Sequence, residues 1–406
     1  MQIVTGGVLA PKGYKAGSVA AGIKKKKLDM TVLVSEEPAT VAGAYTTNVV
    51  KAAPVLWDQD ITRADHCVRA VVVNSGNANA CTGAQGVQDV QATANHVAQQ
   101  LNIEQKEVLV CSTGVIGVPL VMDTVLKGAS DCLAHLQTGA TAATDAATAI
   151  CTTDTFSKEI AVEIEIDGAT IRIGGMAKGS GMIHPNMATM LSFITTDATV
   201  EKAYLQKLLG TTVIDSYNMI SVDGDTSTND TVLVLANGTS KAPAVTAGSA
   251  SEDAFVKAFR YVHTELAKMI VQDGEGAGKF IEVTVKGAQT KEDARIMARS
   301  IISSNLVKTA FFGSDANWGR IICAMGYSGA TFDPNLVSIT FVSEAGMIVV
   351  LQAGTPLKFD ESLAKKILQE NIISVVITVG SGSVEATAWG CDLSYEYVRI
   401  NGDYRS

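Results

Sequence analysis

The feature that most constrains the fold is an alternating segment at residues 158–173. Apolar and polar side chains alternate over 161–166 and again over 170–173, and Asp167-Gly168 stands between the two runs. Alternation with a period of two indicates strands with one buried face, and an Asp-Gly pair is typical of a tight hairpin turn. The segment therefore predicts an antiparallel pair and excludes a purely parallel sheet.

Other periodic segments surround this hairpin. Short β-rich runs predict strands, and longer runs with helical spacing predict helices. The predicted strands are 31–34, 68–73, 107–110, 231–235 and 280–285, and the predicted helices are 84–101, 120–135, 200–211, 251–270 and 361–370. Strands and helices do not alternate as regularly as in a βαβ protein. We therefore expect an α+β fold with mixed sheets covered by helices.

Composition narrows the functional class. The chain has 406 residues, 47% of them hydrophobic and 18% charged, which is typical of a compact globular protein of two or three domains. The net charge is −9, and the one basic run is the lysines at 24–27, which we interpret as a solvated loop or strand end. Nucleic-acid binding requires clustered basic residues, so we do not expect it.

Seven cysteines occur singly, without a C-x-x-C pair, and no H-E-x-x-H motif is present. This pattern argues against a disulfide framework and against a metal site, and it indicates a reducing compartment with most cysteines in the core. Residues 1–22 contain no apolar signal segment, and the apolar runs are too short to span a bilayer. We therefore predict a cytoplasmic protein without a metal or a membrane segment.

The most unusual stretch is 174–197, which predicts a glycine-rich loop, an extended residue before Pro185, and a strand beginning at Thr189. A threonine hydroxyl at such a junction can attack the carbonyl of Ala188, and hydrolysis of the ester leaves Thr189 as a new N-terminus. Its α-amine, with an ordinary pKa of about 7.7–8.0, can then activate its own hydroxyl. The alternative is a plain turn, since Ala-Thr pairs are common.

Seven short motifs distributed along the chain resemble one known family. They are Gly-Ala-Tyr-Thr-Thr-Asn at 43–48, Asn-Ser-Gly-Asn-Ala-Asn at 74–79, Ser-Thr-Gly-Val-Ile-Gly at 112–117, Lys-Gly-Ser-Gly-Met-Ile-His-Pro-Asn-Met-Ala-Thr-Met-Leu at 178–191, Ser-Thr-Asn-Asp at 227–230, Gly-Ser-Asp-Ala-Asn-Trp-Gly-Arg at 313–320 and Val-Arg-Ile-Asn-Gly-Asp-Tyr at 398–404. The chain thus resembles the ornithine acetyltransferase (glutamate N-acetyltransferase) family. The resemblance implies a layered αββα sandwich of the type shared with the L-aminopeptidase/D-esterase proteins.

The resemblance also implies a mechanism. Thr189 would cleave the chain after Ala188, take the acetyl group of N-acetylornithine and pass it to glutamate, as a ping-pong enzyme of arginine biosynthesis. The Thr113 hydroxyl and the Gly114 N–H would stabilise the oxyanion, a role that preplaced donors serve in acyl transfer. From the residues alone, Ser-Thr-Gly at 112–114 would be no more than a turn that ends a strand.

Further residues are implied to bind substrate. They are Thr152, Lys178, Thr189, Glu275, Asn401 and the C-terminal Ser406, where the family commonly has threonine. Their ordinary alternatives are a turn threonine, a solvated lysine, a helix end before a flexible turn, and a disordered tail. Residues 274–279 fit neither of the two common phosphate-loop patterns. His184, in the cleavage loop, is interpreted as structural.

The implied products are an α chain of residues 1–188 and a β chain of residues 189–406, which would associate as a heterotetramer of two α and two β chains. No cofactor is expected, and acetyl-CoA is a second acetyl donor used by some members of the family. Two alternatives stay open. One is a self-processed amidohydrolase or aminopeptidase in which water accepts the acyl group, and the other is an uncleaved amino-acid-binding protein.

Overall fold

The structure is a computed structural model that describes residues 1–166, 168–184 and 190–403. Contacts among these residues separate the chain into two units. The first unit contains 1–166, 168–179, 190–216 and 226–270, and the second contains 180–184, 217–225 and 271–403. Each unit contains its own β-sheet with helices packed against it. No helix in the described part of the chain is long and apolar enough to cross a membrane.

The elements are numbered in chain order. The strands are β1 (Gln2–Val4), β2 (Tyr14–Val19), β3 (Met30–Tyr45), β4 (Cys67–Asn77), β5 (Val108–Val115), β6 (Lys158–Ile166), β7 (Ala169–Lys178), β8 (Leu191–Thr196), β9 (Ile220–Ser221), β10 (Thr231–Ala236), β11 (Phe280–Ala288), β12 (Ser338–Ser343), β13 (Gly346–Gln352), β14 (Thr355–Pro356), β15 (Ile372–Thr378) and β16 (Val384–Cys391). The helices are α1 (Ala53–Arg63), α2 (Gly83–Leu101), α3 (Met122–Ala134), α4 (Ala140–Ala149), α5 (Lys202–Ile214), α6 (Glu252–Gln272), α7 (Lys291–Ser303), α8 (Asn305–Phe312), α9 (Trp318–Gly326), α10 (Glu361–Gln369) and α11 (Tyr395–Gly402).

The sheet of the first unit has the strand order β1-β6-β7-β8-β10-β3-β4-β5, and β2 also pairs with β3. Two neighbouring pairs, β4 with β5 and β8 with β10, are parallel, whereas the pairs β6–β7, β7–β8 and β10–β3 are antiparallel. The predictions of an α+β class and of mixed sheets are therefore confirmed.

This sheet is buried on both faces. Side chains alternate along β4, so that Val71 and Val73 belong to one hydrophobic cluster and Ala70 and Val72 to the other. The alanines of α4 pack in the first cluster, and apolar residues of α2 and α3 pack in the second. The predicted α2 and α3 helices form within two residues of their expected starts, whereas α4 lacks the amphipathic period that sequence patterns detect.

The predicted hairpin is confirmed by β6 and β7, although its turn residue Asp167 lies outside the described residues. The expectation of a glycine-rich loop from 174 onward is wrong, because β7 continues through Gly174 and Gly175 to Lys178. These glycines allow close packing rather than a turn. A Cβ at Gly174 would lie 2.0 Å from the carbonyl oxygen of Gly7, and one at Gly175 would lie 2.6 Å from Cδ1 of Ile194.

The sheet of the second unit has the order β14-β13-β12-β15-β11-β16-β9. Helix α7 packs against β11 and β16, and its buried residues Met297, Ala298, Ile301 and Ile302 recur at the spacing of one helix face. The short strand β9 pairs with β16, with Ile220 opposite Trp389. The end of β16 leads into α11, so the sheet fixes the starting point of the C-terminal helix.

All seven cysteines are unpaired, but the prediction that most of them lie in the core is wrong. Cys111, Cys132 and Cys391 are buried, whereas Cys67, Cys81 and Cys323 are exposed and Cys151 is half-buried. Cys67 is the first residue of β4, Cys81 has a left-handed backbone conformation in a loop, and Cys323 lies on the exposed side of α9. The lysine run at 24–27 lies in a bent loop, as expected, and Lys24 Nζ donates to the Cys151 carbonyl oxygen.

Candidate active site

Lys178, the last residue of β7, lies at the centre of a buried polar group in the first unit. The residue is only 6% exposed, and its ammonium donates to Thr152 Oγ1 at 2.8 Å and to Thr113 Oγ1 at 3.5 Å. Asp154 Oδ2 lies 4.0 Å from the same nitrogen. The structure thus brings together three residues that the sequence resemblance selected, namely Thr113, Thr152 and Lys178. We call these residues and Asp154 the Lys178 cluster.

Asp154 is the member of this cluster that the sequence resemblance did not select. Its Oδ1 accepts from Lys158 Nζ and from the Gly179 N–H, both at 2.7 Å, and its Oδ2 accepts from the Thr152 N–H at 2.9 Å. Burial by itself would raise the pKa of this carboxyl, but Lys178 and Lys158 and these hydrogen bonds outweigh burial and lower it. Asp154 is therefore ionised and anchors both lysines. Sequence spacing gives no signal for such a contact.

We expect Asp154→Asn to reduce the free energy of unfolding by about 3–5 kcal/mol at pH 7, because it leaves the fully buried Lys158 ammonium without its carboxylate. The pKa of Asp154 is lowered in the folded protein. Its contribution is therefore complete above the unfolded pKa of about 3.9 and is lost as the pH falls toward the folded value. Urea denaturation at pH 7 and pH 3 should show a smaller difference between variant and parent at pH 3.

The matched control for this prediction is Asp131→Asn, which removes an ion pair of the same four-residue spacing between Lys127 and Asp131. Both side chains of that pair are well exposed, so its removal should change stability by less than about 1 kcal/mol. Equal losses in the two variants would contradict the anchoring role of Asp154.

The predicted oxyanion residues lie at the end of β5. Gly114 pairs with Gly76 of β4 and has a φ of +133°, and a Cβ placed on it would lie 2.3 Å from the Gly76 carbonyl carbon. Only glycine fits this position, because the conformation and the close approach of two backbones both exclude a side chain. Thr113 follows Ser112, whose hydroxyl donates to Asn74 Oδ1 at 2.6 Å. The end of β5 that carries the two proposed donors is therefore held in place by side-chain hydrogen bonds and by its pairing with β4.

Three motifs to which the sequence resemblance assigned no role surround this end of β5. Asn229 Nδ2 donates to the carbonyl oxygens of Ser112 and Ala78, at 2.8 and 2.6 Å. Thr46 Oγ1 donates to the Ser227 carbonyl oxygen at 2.8 Å, so the segment after β3 also holds the loop that carries Asn229. The motifs at 43–48, 74–79 and 227–230 are thus neighbours in space. Their amide side chains replace backbone hydrogen bonds that irregular loops lack.

The predicted nucleophile Thr189 and the cleavage partner Ala188 lie outside the described residues. The described chain resumes at Met190, and β8 begins one residue later. Leu191 pairs with Lys178 of β7 on one side and with Thr231 of β10 on the other. The chain is therefore anchored in the interior of the sheet from Leu191 onward, and cleavage at 188/189 stays a prediction.

Glu275 and Asn401 are brought together in the second unit. Glu275 is buried, its carboxylate accepts from Asn401 Nδ2 at 2.8 Å, and its N–H donates to the Ser180 carbonyl oxygen at 2.8 Å. A Cβ at Gly181 would lie 2.3 Å from Glu275 Cδ, so a larger residue there would displace this carboxylate. We call Glu275 and Asn401 the Glu275 pair. Ser406, the third predicted residue of this part of the chain, lies outside the described residues.

A second carboxylate of this unit fixes the segment before Pro185. Asp223 accepts from the N–H groups of Met182 and Ile183 at 2.6 and 2.8 Å, and the Tyr397 hydroxyl donates to Asp223 Oδ2 at 3.2 Å. Burial, followed by the charge of Asp223, raises the pKa of Tyr397, which keeps the phenol neutral. The sequence resemblance selected neither residue, because each acts by holding backbone.

His184 is half-buried beside Ser221, with 3.1 Å between Nδ1 and the hydroxyl oxygen, and beside Ser303, with 3.3 Å between the corresponding atoms. Burial and the nearby Arg299 lower its pKa. The imidazole is therefore neutral at pH 7. These contacts agree with the interpretation of His184 as a structural residue.

Comparisons with known proteins bear on the whole chain. The sequence profile of the ArgJ family matches residues 15–406. The arginine biosynthesis bifunctional protein ArgJ of Caldanaerobacter subterraneus subsp. tengcongensis is 52% identical over 406 residues, covering 100% of both chains. That of Thermotoga neapolitana is 50% identical over 407 residues, covering 98% of this chain and 100% of the relative. The crystal structure of the Bacillus halodurans protein of the same name is 44% identical, with a TM-score of 0.51, and covers 53% of this chain and 100% of the solved chain.

Proposed function

The chain belongs to the ArgJ family and is an acetyltransferase of arginine biosynthesis, and we propose that it moves the acetyl group of N-acetylornithine to glutamate through an acetyl-enzyme on Thr189. The observation that carries this proposal is the match to bifunctional ArgJ proteins over the whole chain. The motifs found from the sequence lie within the same match.

The proposed reaction has two half-reactions at one nucleophile. Thr189 Oγ attacks the acetyl carbonyl carbon while the α-amine of Thr189 takes the hydroxyl proton. The carbon–nitrogen bond then breaks, and the proton passes to the departing ornithine nitrogen. The amine of glutamate attacks the resulting ester, and the α-amine of Thr189 takes the proton that this nitrogen loses. The carbon–oxygen bond then breaks, the proton passes to the departing Thr189 Oγ, and N-acetylglutamate leaves with Thr189 restored.

We propose that the nucleophile arises by cleavage between Ala188 and Thr189, which would give an α chain of 188 residues and a β chain of 218 residues. The solved Bacillus halodurans chain supports this step, because all of it aligns but it covers only 53% of this chain. A β chain of 218 out of 406 residues would be about 54% of the whole. We also propose that the two fragments remain associated as a heterotetramer of two α and two β chains.

Individual roles follow from the chemistry of the clusters. We propose that the Thr113 hydroxyl and the Gly114 N–H stabilise the oxyanion of each tetrahedral intermediate. The hydrogen bonds that hold the end of β5 support the role, since preplaced donors need no reorganisation. We propose that Lys178 and Thr152 bind the substrate carboxylate. The support is a buried ammonium that is already held by two hydroxyls.

For the Glu275 pair and Ser406, we propose contact with the amino groups and polar atoms of the amino-acid substrate. We expect Glu275→Gln to raise the KM for N-acetylornithine about 10- to 100-fold while leaving cleavage intact, because a hydrogen bond to a charged group contributes about 1.5–3 kcal/mol. Initial rates at varied N-acetylornithine and saturating glutamate would measure this. Glu282→Gln is the control, since Glu282 also accepts a hydrogen bond from a side-chain nitrogen, that of Trp389, at 2.8 Å, but belongs to strand β11 of the sheet. An unchanged KM in Glu275→Gln would remove Glu275 from the binding residues.

One experiment separates the proposal from its alternatives. Enzyme incubated with acetyl-labelled N-acetylornithine in the absence of glutamate should release one ornithine per active site and carry the label on the fragment that begins with Thr189. Continuous release of acetate would instead indicate the amidohydrolase, in which water accepts the acyl group. A single 406-residue band on a denaturing gel, with no turnover, would indicate an amino-acid-binding protein.

We further propose that acetyl-CoA serves as a second acetyl donor and that no resident cofactor is needed. The name bifunctional that the relatives carry supports a second activity beside the first. Acetyl-CoA and glutamate supplied without N-acetylornithine should yield N-acetylglutamate, and no product at saturating glutamate would make the enzyme monofunctional. Seven unpaired cysteines support the cytoplasm as its compartment.

A further inference from the structure

The first unit contains a cavity of about 410 Å³ to which the proposed mechanism assigns no ligand. Its volume is typical of sites that hold small molecules and cofactors. The loop between β2 and β3 lines one part of it with Lys24 and Lys27, and the segment between α4 and β6 lines another part with Thr152 and Phe156. We call it the Lys24 cavity. Two lysines of a run that we expected to be solvated thus line a concave site.

These two cations lie close to each other. Lys24 is half-buried, and its ammonium donates to the Cys151 carbonyl oxygen at 2.7 Å. Burial lowers the pKa of Lys24, and the nearby charge of Lys27 adds to that effect, whereas Asp29 and Asp154 oppose it. Neither lysine forms an ion pair with a carboxylate in the described part of the chain. An anion bound between them would relieve their repulsion and favour the charged form of both.

Phe156 adds an aromatic surface to the same cavity. The ammonium of Lys158 lies 4.8 Å from the centre of its ring, and the residue is nevertheless 44% exposed. Lys158 is itself fully buried and paired with Asp154, so the protein holds this ring on one side while the rest of it stays open to a ligand. A partly exposed aromatic ring beside cations is a surface on which a nucleotide base can stack while its phosphates meet the cations.

The cavity also borders the residues proposed for acetyl transfer. Thr152, which lines it, accepts a hydrogen bond from Lys178 at 2.8 Å and so belongs to the Lys178 cluster. A Cβ placed on Gly76 would lie 2.9 Å from Lys24 Cγ, which shows that the stem of this lysine packs against β4. Gly76 in turn pairs with Gly114, the proposed oxyanion glycine. A ligand in the Lys24 cavity is therefore next to the end of β5.

We propose that the Lys24 cavity binds the nucleotide part of acetyl-CoA, with its phosphates on Lys24 and Lys27 and its base against Phe156. This inference rests on the proposed function, in which acetyl-CoA is a second acetyl donor. The chain has a net charge of −9, so a polyanionic donor requires a local group of cations. N-acetylornithine carries neither phosphates nor a base. The cavity therefore serves one of the two donors only.

The test compares Lys27→Glu with Lys25→Glu. Both lysines are exposed in the same loop, and both substitutions change the net charge equally, but only Lys27 lines the cavity. Initial rates at varied acetyl-CoA and saturating glutamate give the KM for acetyl-CoA. We expect Lys27→Glu to raise this KM about 10- to 100-fold, because it replaces a charge-assisted contact with repulsion. Lys25→Glu should change it less than about threefold, since exposed charges are screened by salt.

The second donor supplies the specificity check. The KM for N-acetylornithine, measured at saturating glutamate, should be the same in the two variants. Equal KM values for acetyl-CoA in Lys27→Glu and Lys25→Glu would overturn the inference. A rise of equal size for both donors in Lys27→Glu would also overturn it, because the cavity would then belong to the amino-acid substrate.

Calorimetric titration with CoA measures the site without turnover. The parent enzyme and Lys25→Glu should bind CoA with similar affinity, and Lys27→Glu at least tenfold more weakly. If the parent binds CoA in this way but makes no N-acetylglutamate from acetyl-CoA, the second-donor role fails and the binding site stands. If the parent makes the product but all three proteins bind CoA equally, the proposed function stands and this inference fails. A parent enzyme that does not bind CoA would also refute the site.

Discussion

Thr189→Ala should give an intact chain of 406 residues without acetyltransferase activity. The reason is that one hydroxyl is required for two steps, attack on the Ala188 carbonyl and attack on the acetyl group. Alanine has no nucleophile, so neither the cleaved ester nor the acetyl-enzyme can form. A denaturing gel and an intact mass measurement would show a single polypeptide. N-terminal sequencing of the parent enzyme should read Thr-Met-Leu-Ser for one of its two fragments.

The control for this variant is Thr189→Ser, which keeps the hydroxyl and loses a methyl group. We expect it to cleave and to retain measurable transfer. If Thr189→Ala still splits after Ala188, another group carries out the cleavage and the proposed chemistry is wrong. If Thr189→Ser remains intact although it is folded, the methyl group itself is needed to orient the hydroxyl at this junction.

Gly114→Ala should be the most damaging substitution outside the nucleophile. The new Cβ would lie 2.3 Å from the Gly76 carbonyl carbon and 2.5 Å from the Asn77 nitrogen, both of them backbone atoms, at a φ of +133°. Strands β4 and β5 would have to separate at the end of β5, where Asn229 donates a hydrogen bond to the Ser112 carbonyl oxygen. We expect a loss of about 2–5 kcal/mol in unfolding free energy. Displacement of one oxyanion donor should lower kcat by about 10²–10³-fold.

Gly117→Ala is the matched control, three residues further along the chain and just beyond the end of β5. Gly117 also has a positive φ, of +79°, but no heavy atom lies within 4 Å of its Cβ position. Its substitution should therefore cost only the backbone strain of about 1–2 kcal/mol and leave kcat nearly unchanged. Thermal unfolding and kcat measurements on both variants would test this difference. Equal losses of stability and kcat in the two variants would show that close contact with β4 does not determine the position of the oxyanion donors.

The sequence predicts a large part of the site because its chemistry depends on short motifs. Thr113, Thr152 and Lys178 are separated by as many as 65 residues along the chain but share hydrogen bonds in the structure. The same holds for Glu275 and Asn401, which are 126 residues apart. Resemblance identifies these residues because each motif is contiguous. It does not show which of them are in contact, since contact depends on strand register and loop path.

Residues that hold the backbone or orient other side chains are not identified by short motifs. Asp154 is an aspartate in a turn and Asp223 an aspartate in a polar loop, and neither spacing nor composition distinguishes them from solvated carboxylates. Their partners, two lysines in one case and two backbone N–H groups in the other, become visible only when the strands and loops are assembled. The prediction of a loop at 174–178 is wrong for a similar reason. Its glycines are required by neighbouring backbone and side-chain atoms rather than by a turn.

By itself, the sequence determined the α+β class, the antiparallel hairpin, the family and the identity of the proposed reacting residues, because periodicity and contiguous motifs are local properties. The tertiary structure alone decided which side chains share a buried environment. It placed the Lys178 ammonium within hydrogen-bonding distance of Thr113 and Thr152 and 4.0 Å from Asp154, because strand pairing joins residues far apart in the chain. Burial then fixes their charges, since a carboxyl removed from water stays ionised only where cations and N–H groups surround it.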